Sequence, residues 1–183
     1  MLSTKEKEIF AILFASGEPI EAEKLSQAVE IDKELLNKLV RNLADNLEDK
    51  GFPLQVLTLG TKFQLATDVK YAPVIKSALD VKRNVPLSQA AMEVLAIVAY
   101  NQPVTKSFVE QIRGVDSSGI VNSLVEKSLI EEAGRLEIPG RPISYVTSSN
   151  FLRCFGISSL DELPLIDYNS QDDEEIVLED FAK

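Results

Sequence analysis

A mostly apolar helix closed by a proline occurs twice in this chain, and this repetition constrains the fold more than any other feature. Residues 86–100 read PLSQAAMEVLAIVAY, where Ser88 can cap a helix whose apolar side chains cover most of its circumference. Pro103 then ends the helix, because proline cannot continue one. Residues 9–19 read IFAILFASGEP, with the same order of apolar helix, short polar turn and proline. The sequence therefore predicts two related units, each burying one such helix.

The repetition extends beyond these helices at a nearly constant spacing. Pro19 and Pro103 lie 84 positions apart, and apolar residues recur at the same offset. The matched pairs are Phe10 and Val94, Leu13 and Ile97, Phe14 and Val98, Ile20 and Val104, Leu25 and Val109, Ala28 and Ile112, and Ile31 and Val115. Farther along, the offset falls to 80, where Thr67 matches Thr147, which predicts a third helix shorter by about one turn in the second copy. A repeat of this length indicates duplicated domains rather than a solenoid.

Each copy is predicted to contain three helices followed by a β-hairpin, which is the winged-helix arrangement. The first hairpin is predicted from LQVLTL and KFQLAT on either side of Gly60-Thr61, and the second from residues 129–133 and 143–147. The predicted fold class is α+β, mostly helical, with two tandem winged-helix domains, short hairpin wings and a disordered acidic tail. The predicted boundaries are 1–80 for the N-terminal domain, 81–86 for the linker, 87–166 for the C-terminal domain and 167–183 for the tail.

The distribution of charge decides between DNA and protein as the partner. Residues 1–79 and 80–166 each carry a net charge of −2, and residues 167–183 carry −6, within a total of −10. The candidate recognition helix, residues 32–50, has four cationic side chains against five carboxylates. Non-specific DNA binding needs several uncompensated cations. The sequence therefore favours a protein-recognition module, and a DNA-binding transcriptional regulator stays as the alternative.

Missing residue types exclude most catalytic chemistry. The chain has no histidine and one cysteine, so most zinc sites and every histidine-based triad are excluded. Cys154 lies in FLRCFG and is predicted to be a small buried hydrophobic residue rather than a nucleophile. Without a phosphate-binding loop or a calcium loop either, the sequence predicts no enzyme, no metal and no cofactor.

The sequence also indicates where in the cell the protein is expected. No run of about 18 apolar residues is present, so no membrane span is predicted. Neither a signal peptide nor a pair of cysteines is visible, and we expect a cytoplasmic protein.

Long ordered motifs in the second half resemble one protein family. They are LSQAAMEVLAIVAYNQPVT, then IRGV, then LVEKSLIEEAGRLEIPGRPISYVTSSNFLRCFGISSLDELP. These segments are similar to segregation and condensation protein B of bacteria, whereas the first half matches mainly in helix pattern and in GEPI. The resemblance implies a homodimer of two winged-helix domains that binds the kleisin subunit of the structural-maintenance-of-chromosomes complex. It also implies an accessory subunit, distinct from the ATPase of that complex, located with the nucleoid.

Candidate partner-binding residues are weighed from the sequence itself. Pro139, Gly140, Arg141 and Pro142 form a rigid turn at the tip of the second wing, with Arg135 as a second cation. The turn could equally serve only to join two strands, and Arg141 could brace the wing against Glu132 or Glu137. An apolar groove lined by Phe108 and Ile112 is the alternative binding surface.

Three further predictions concern neighbouring residues. Arg113 is a candidate contact, although a helix stop with Gly114 as its cap is the favoured interpretation. Phe151, Leu152 and Phe155 are predicted to lie in the core. Dimerisation is assigned to the N-terminal copy through three apolar residues of the first helix region, Leu2, Phe10 and Phe14.

The acidic tail completes the predictions. Its low hydrophobicity beside a net charge of −6 predicts disorder, because little apolar surface is available to offset chain ordering. A candidate docking helix within it comprises Ile176, Val177, Leu178 and Phe181.

Overall fold

The computed structural model describes residues 2–79 and 86–165. The chain divides into two compact units, with the boundary between Asn84 and Val85. Most of the predicted linker and the predicted acidic tail lie outside the described residues. Both units combine helices with one small antiparallel sheet, which confirms the mostly helical α+β class.

The described residues of the N-terminal unit, 2–79, form four α-helices, one 3-10 helix (Val69–Tyr71) and three strands. The α-helices and strands are α1 (Thr4–Ser16), β1 (Ile20–Glu21), α2 (Ala22–Ala28), α3 (Lys33–Asp49), β2 (Leu54–Leu59), β3 (Lys62–Thr67) and α4 (Ala72–Ala78). Side-chain caps begin the two long helices: the amide of Glu6 donates to the hydroxyl of Ser3, and the amide of Leu35 donates to the Asp32 carboxylate at 2.8 Å. The strand order is β1-β3-β2, so β3 lies in the centre.

The core of this unit lies between α1, α2, α3 and one face of the sheet. Its buried members are Ile9, Leu13, Leu25, Val29, Leu36, Val40, Leu43, Leu47 and Phe63. On α3 the buried positions recur at three- and four-residue spacing, as the amphipathic pattern requires. The polar face of α3 is left to solvent.

The C-terminal unit repeats this plan. Its elements are α5 (Gln89–Asn101), β4 (Val104–Thr105), α6 (Lys106–Arg113), α7 (Ser118–Glu126), β5 (Ile130–Arg135), β6 (Ile143–Thr147) and α8 (Ser149–Phe155). Ser88 caps α5 as predicted, because its hydroxyl accepts from the amide of Ala91. The strand order β4-β6-β5 matches that of the first sheet. In both units the element order and strand order agree with a winged-helix domain.

The prediction that α7 is one turn shorter than its counterpart is wrong. Helix α3 has 17 residues and α7 has 9, a difference of about two turns. The second wing is correspondingly longer at its tip, since residues 136–142 join β5 to β6 whereas two residues join β2 to β3. The two changes have opposite sign, so the net offset falls only from 84 to 80.

The residue pairs predicted between α1 and α5 also need correction. Phe14 is 71% exposed, whereas its predicted match Val98 is fully buried. An offset of 85 places Leu13 with Val98, and both are buried. The turns after α1 and α5 therefore differ by one residue, and the helices align one position away from the offset of their prolines.

None of the helices in residues 2–79 and 86–165 is long and apolar enough to cross a membrane.

Candidate partner-binding site

The tip of the second wing is a closed turn of defined geometry. The amide of Leu136 donates to the carbonyl of Pro142 at 3.0 Å, and the amide of Arg141 donates to the carbonyl of Ile138 at 2.9 Å. Gly140 has a φ of 86°, which a residue with a side chain rarely adopts. The turn that the sequence assigned to partner binding is thus held in one conformation before any partner arrives.

Arg135 and Arg141, the two cations of this wing, make different contacts. The guanidinium of Arg135 donates to the carbonyl of Arg141 at 2.9 Å and so fixes the turn. Arg141 pairs with Glu137 at 2.8 Å, as the internal-brace alternative proposed, but both side chains are mostly exposed, at 65% and 81%. An exposed pair of this kind contributes only about 0–1 kcal/mol. The Arg141 guanidinium can therefore exchange Glu137 for another carboxylate at little cost.

Exposed apolar side chains lie on the solvent side of α6 and just beyond its C-terminal end. Phe108, Ile112 and Val115 are 38%, 52% and 55% exposed, and we call these three residues the α6 stripe. Phe108 and Ile112 lie four residues apart on one face of α6, and Val115 follows the left-handed Gly114 that ends the helix. Val109 points the other way and is buried, so the helix is anchored in the core while the stripe stays free. A grouped apolar surface of this kind marks an interaction site more often than scattered exposed residues do.

Arg113 is already occupied within the domain. Its Nε and Nη2 donate to Glu93 at 3.2 and 3.0 Å, and Nη1 donates to the hydroxyl of Ser117 at 2.8 Å. The side chain is 13% exposed, and Gly114 caps the helix in the left-handed region with a φ of 70°. This geometry favours the structural interpretation of Arg113 over a partner contact.

The aromatic cluster of α8 lies in the core, as predicted. Phe151 is fully buried, while Leu152 and Phe155 are each 8% exposed. The rings of Phe151 and Phe155 lie 4.6 Å apart between centroids. These residues therefore hold α8 against the domain and are not available to a partner.

Cys154 differs from its prediction, because the residue is exposed. Helical spacing turns Phe151 and Phe155 inward and leaves Cys154 on the outer side. Partial burial of the thiol raises its pKa, and the neighbouring Arg153 opposes this shift more weakly. A raised pKa leaves little thiolate at neutral pH, so the exposed position does not make a nucleophile.

The predicted dimerisation residues are not equivalent. Leu2 and Phe10 are half-buried and pack against the N-terminal core, whereas Phe14 projects into solvent near the end of α1. Of the three, Phe14 offers the most free apolar surface.

Sequence reasoning missed two exposed residues next to its candidates. Val115 extends the α6 stripe beyond Gly114, and Ile138, 50% exposed, lies at the tip of the second wing. Helical spacing does not identify Val115, because Gly114 in the left-handed conformation ends α6 before it.

Two units, each with the element order of a winged-helix domain, present exposed apolar and mixed-charge surfaces of the kind found in proteins that contact other macromolecules. Residues 7–166 match the family model described as segregation and condensation complex subunit ScpB. The chain belongs to this family, which confirms the resemblance seen in its motifs.

Two sequence relatives agree with this assignment. A segregation and condensation protein B from Ruminiclostridium cellulolyticum is 39% identical over 166 residues, covering 91% of this chain and 87% of the relative. One from Caldanaerobacter subterraneus subsp. tengcongensis is 42% identical over 167 residues, covering 91% and 99% respectively. A crystal structure of ScpB from Mycobacterium tuberculosis shares 26% identity with a TM-score of 0.40, covering 81% of this chain and 92% of that one.

Proposed function

We propose that this chain is a non-enzymatic accessory subunit of the bacterial structural-maintenance-of-chromosomes complex, which binds the kleisin subunit as a homodimer. In this role it supports chromosome condensation and segregation in the cytoplasm, at the nucleoid. Membership of a family described as a subunit of a segregation and condensation complex supports the assignment. The observation that carries the binding site is the presence, in one unit, of the α6 stripe and a pre-formed cationic wing.

The chemistry of these two features indicates what they bind. The α6 stripe offers Phe108 and Ile112 on one helix face with Val115 just beyond the helix end, and this exposed apolar surface suits the apolar face of an amphipathic helix. Arg141 offers a planar guanidinium that can hold a carboxylate or a backbone carbonyl with two donors. A partly helical segment of the kleisin with apolar and acidic residues fits both, and through the kleisin the subunit joins the ATPase.

The N-terminal unit is assigned to dimerisation. Phe14, at 71% exposure, is a large apolar side chain outside the core of that unit. Direct sequence-specific binding to DNA is not part of the proposal, because the exposed cations of α3, Lys38 and Arg41, are flanked by the carboxylates of Glu34 and Asp45.

The binding site is tested by Arg141→Ala, titrated calorimetrically with the middle region of the kleisin. We expect binding to weaken by about 1–3 kcal/mol, the range for a central arginine contact, while the melting temperature stays unchanged. Stability should hold because the Glu137 pair is exposed and because alanine and arginine, which both carry a Cβ, tolerate the φ of 41° at this position about equally.

Glu137→Ala is the matched control. It removes the internal competitor for Arg141, so affinity should be equal or higher. Unchanged affinity in Arg141→Ala would remove the wing from the site and leave the α6 stripe alone, and a lowered melting temperature together with weaker binding would support the internal brace.

A further inference from the structure

The two sheets end in edge strands of opposite character. Strand β2 reads LQVLTL and has no charge, no proline and no bulge, with six residues paired in unbroken register to β3. Strand β5 reads IEEAGR, carries three charges, and is interrupted by a register shift between Glu132 and Arg135. Charges and bulges are the means by which proteins keep an edge strand from pairing with another chain. The edge of β5 is protected in this way, and the edge of β2 is not.

The register shows which backbone groups of β2 face outward. The amide of Asp68 donates to the carbonyl of Pro53, so this pair is a hydrogen-bonded pair of the ladder. Bonded pairs alternate in an antiparallel ladder, so the amides and carbonyls of Gln55, Leu57 and Leu59 face β3. The amides and carbonyls of Leu54, Val56 and Thr58 therefore point away from the sheet. Within residues 2–79 and 86–165 these outward groups have no hydrogen-bond partner.

The distribution of charge on the protein favours a second copy of this chain as the partner of the β2 edge. The protein has a net charge of −10, so two copies repel one another over most approaches. Along β2 no charged side chain is present, and two copies can meet there without placing like charges side by side. The same approach through β5 would bring Glu131 and Glu132 of both copies together.

A two-fold symmetric contact can also form through the β2 edge. A two-fold axis at Val56 pairs β2 antiparallel with its counterpart, so that Val56 exchanges both backbone hydrogen bonds with Val56 of the partner subunit. Leu54 then lies opposite Thr58 of the partner subunit. All three outward residues find a partner in this register, and the contact is the same on both copies.

We propose that the β2 edge is the dimerisation surface, where two copies join their three-stranded sheets into one continuous six-stranded sheet. The inference rests on the homodimer of the proposed function and identifies its surface. It places the contact on backbone groups of β2 rather than on the side chain of Phe14.

Amide hydrogen exchange on the full-length protein tests the proposal without any substitution. The amides of Val56 and Thr58 should be protected at concentrations where light scattering shows a dimer, and should exchange at least about tenfold faster after dilution to monomer. The amide of Leu57 is the internal control, because it donates to β3 and should stay protected in both states.

A pair of substitutions at Thr58 gives a second, independent test. Thr58→Pro removes one outward donor from each copy and no hydrogen bond within the sheet, so the fold should tolerate it at an edge. We expect dimerisation to weaken about tenfold to a hundredfold. Thr58→Val retains the amide and should dimerise like the unsubstituted protein.

The outcomes separate this inference from the proposed function. A dimer whose Val56 and Thr58 amides exchange freely overturns the β2 edge and leaves the homodimer intact. A protein that is monomeric at every concentration overturns both. Protection that appears only when the kleisin's middle region is added overturns the inference as well, since the edge would then receive a strand of that partner.

Discussion

Arg113 and Arg141 each pair with a glutamate in the C-terminal unit, but their surroundings make the two pairs different in energy. Arg113 is 13% exposed and makes three hydrogen bonds, which connect α6 to α5 and to the start of α7. Arg141 is 65% exposed and makes one ion pair within its own turn. Water screens the second pair and competes for it, while the first is protected on the Arg113 side only, since Glu93 is 49% exposed.

We therefore predict that Arg113→Ala lowers the unfolding free energy of the C-terminal unit by about 1–2 kcal/mol, as expected when three partly buried charge-assisted hydrogen bonds are removed. Urea denaturation of the full-length protein measures the change. Arg141→Ala is the control and should stay within about 0.5 kcal/mol of the original. Equal effects of the two substitutions would contradict the distinction in burial.

Tyr100 makes the stability of the C-terminal unit sensitive to alkaline pH. Its hydroxyl donates to the carbonyl of Pro164 at 2.9 Å, and burial raises the pKa of the hydroxyl above its ordinary value. The folded protein then holds this proton more tightly than the unfolded chain. Its contribution is fully present below the unfolded pKa of about 10 and is lost as pH rises through the folded pKa.

Thermal melts across this alkaline range should show that loss of stability, and Tyr100→Phe should reduce it, since phenylalanine has no proton to lose. The variant should also be less stable at neutral pH by about 1 kcal/mol, the usual contribution of one hydrogen bond. A pH profile identical to that of the unsubstituted protein would exclude Tyr100 as its source.

Among the elements, α6 combines a buried face with an exposed one, and this division allows a clean test of binding. Replacing Phe108 and Ile112 with serine removes much of the α6 stripe and leaves the buried Val109 in place. We predict at least about tenfold weaker binding of the kleisin's middle region, measured by calorimetry, with little change in unfolding free energy.

Val74→Ser is the matched control for this element. Val74 is 62% exposed on α4 of the other unit, and its replacement removes exposed apolar surface without touching the α6 stripe. Equal loss of binding in the control would show that general surface hydrophobicity, and not the stripe, is responsible.

The long helices and both hairpins could be predicted from the sequence because their information is local. The apolar period of α3 and the capping serine of α5 are readable within a few residues. Strands β1 and β4 could not be predicted, since each has two residues and is defined only by a partner strand far along the chain. The sequence underestimates the shortening of α7, because the longer second wing adds residues that offset about half of it in the spacing between the two copies.

The candidate site was predictable in part, for the same reason. The turn around Arg141 is a local pattern of proline and glycine, and its geometry follows from those residues. The bonds of Arg113 to Glu93 join residues 20 positions apart on two helices, and nothing local reveals them. Cys154 was misjudged because its phenylalanine neighbours suggested burial, while the helical period directs it outward.

At the scale of the whole molecule, the two units share one plan and differ in what they present. The N-terminal unit has the longer third helix and the uncharged sheet edge, and the C-terminal unit has the longer wing and the α6 stripe. The difference supports a division in which one unit joins two copies and the other holds the kleisin.

The acidic residues 167–183 are predicted to be dispensable for folding. Truncation after Leu165, which is 94% exposed, should leave the melting temperature within about two degrees of the full-length protein. Truncation after Ser159 is the control: it removes the Pro164 carbonyl that Tyr100 binds and should lower the melting temperature. A fall of several degrees in the first truncation would show that the tail packs on the protein.

The two-residue strand β1 has a consequence for the order in which the N-terminal unit folds. Strands β2 and β3 are joined by two residues, whereas Glu21 of β1 meets Lys62 of β3 across 41 positions, so pairing β1 requires the closure of a much longer loop. The hairpin should therefore form early and β1 should pair late, after the rate-limiting step. The hydroxyl of Thr61 donates to the carboxylate of Glu21 at 2.8 Å and fastens this late contact. Loss of this hydrogen bond would speed the unfolding of the unit without slowing its folding.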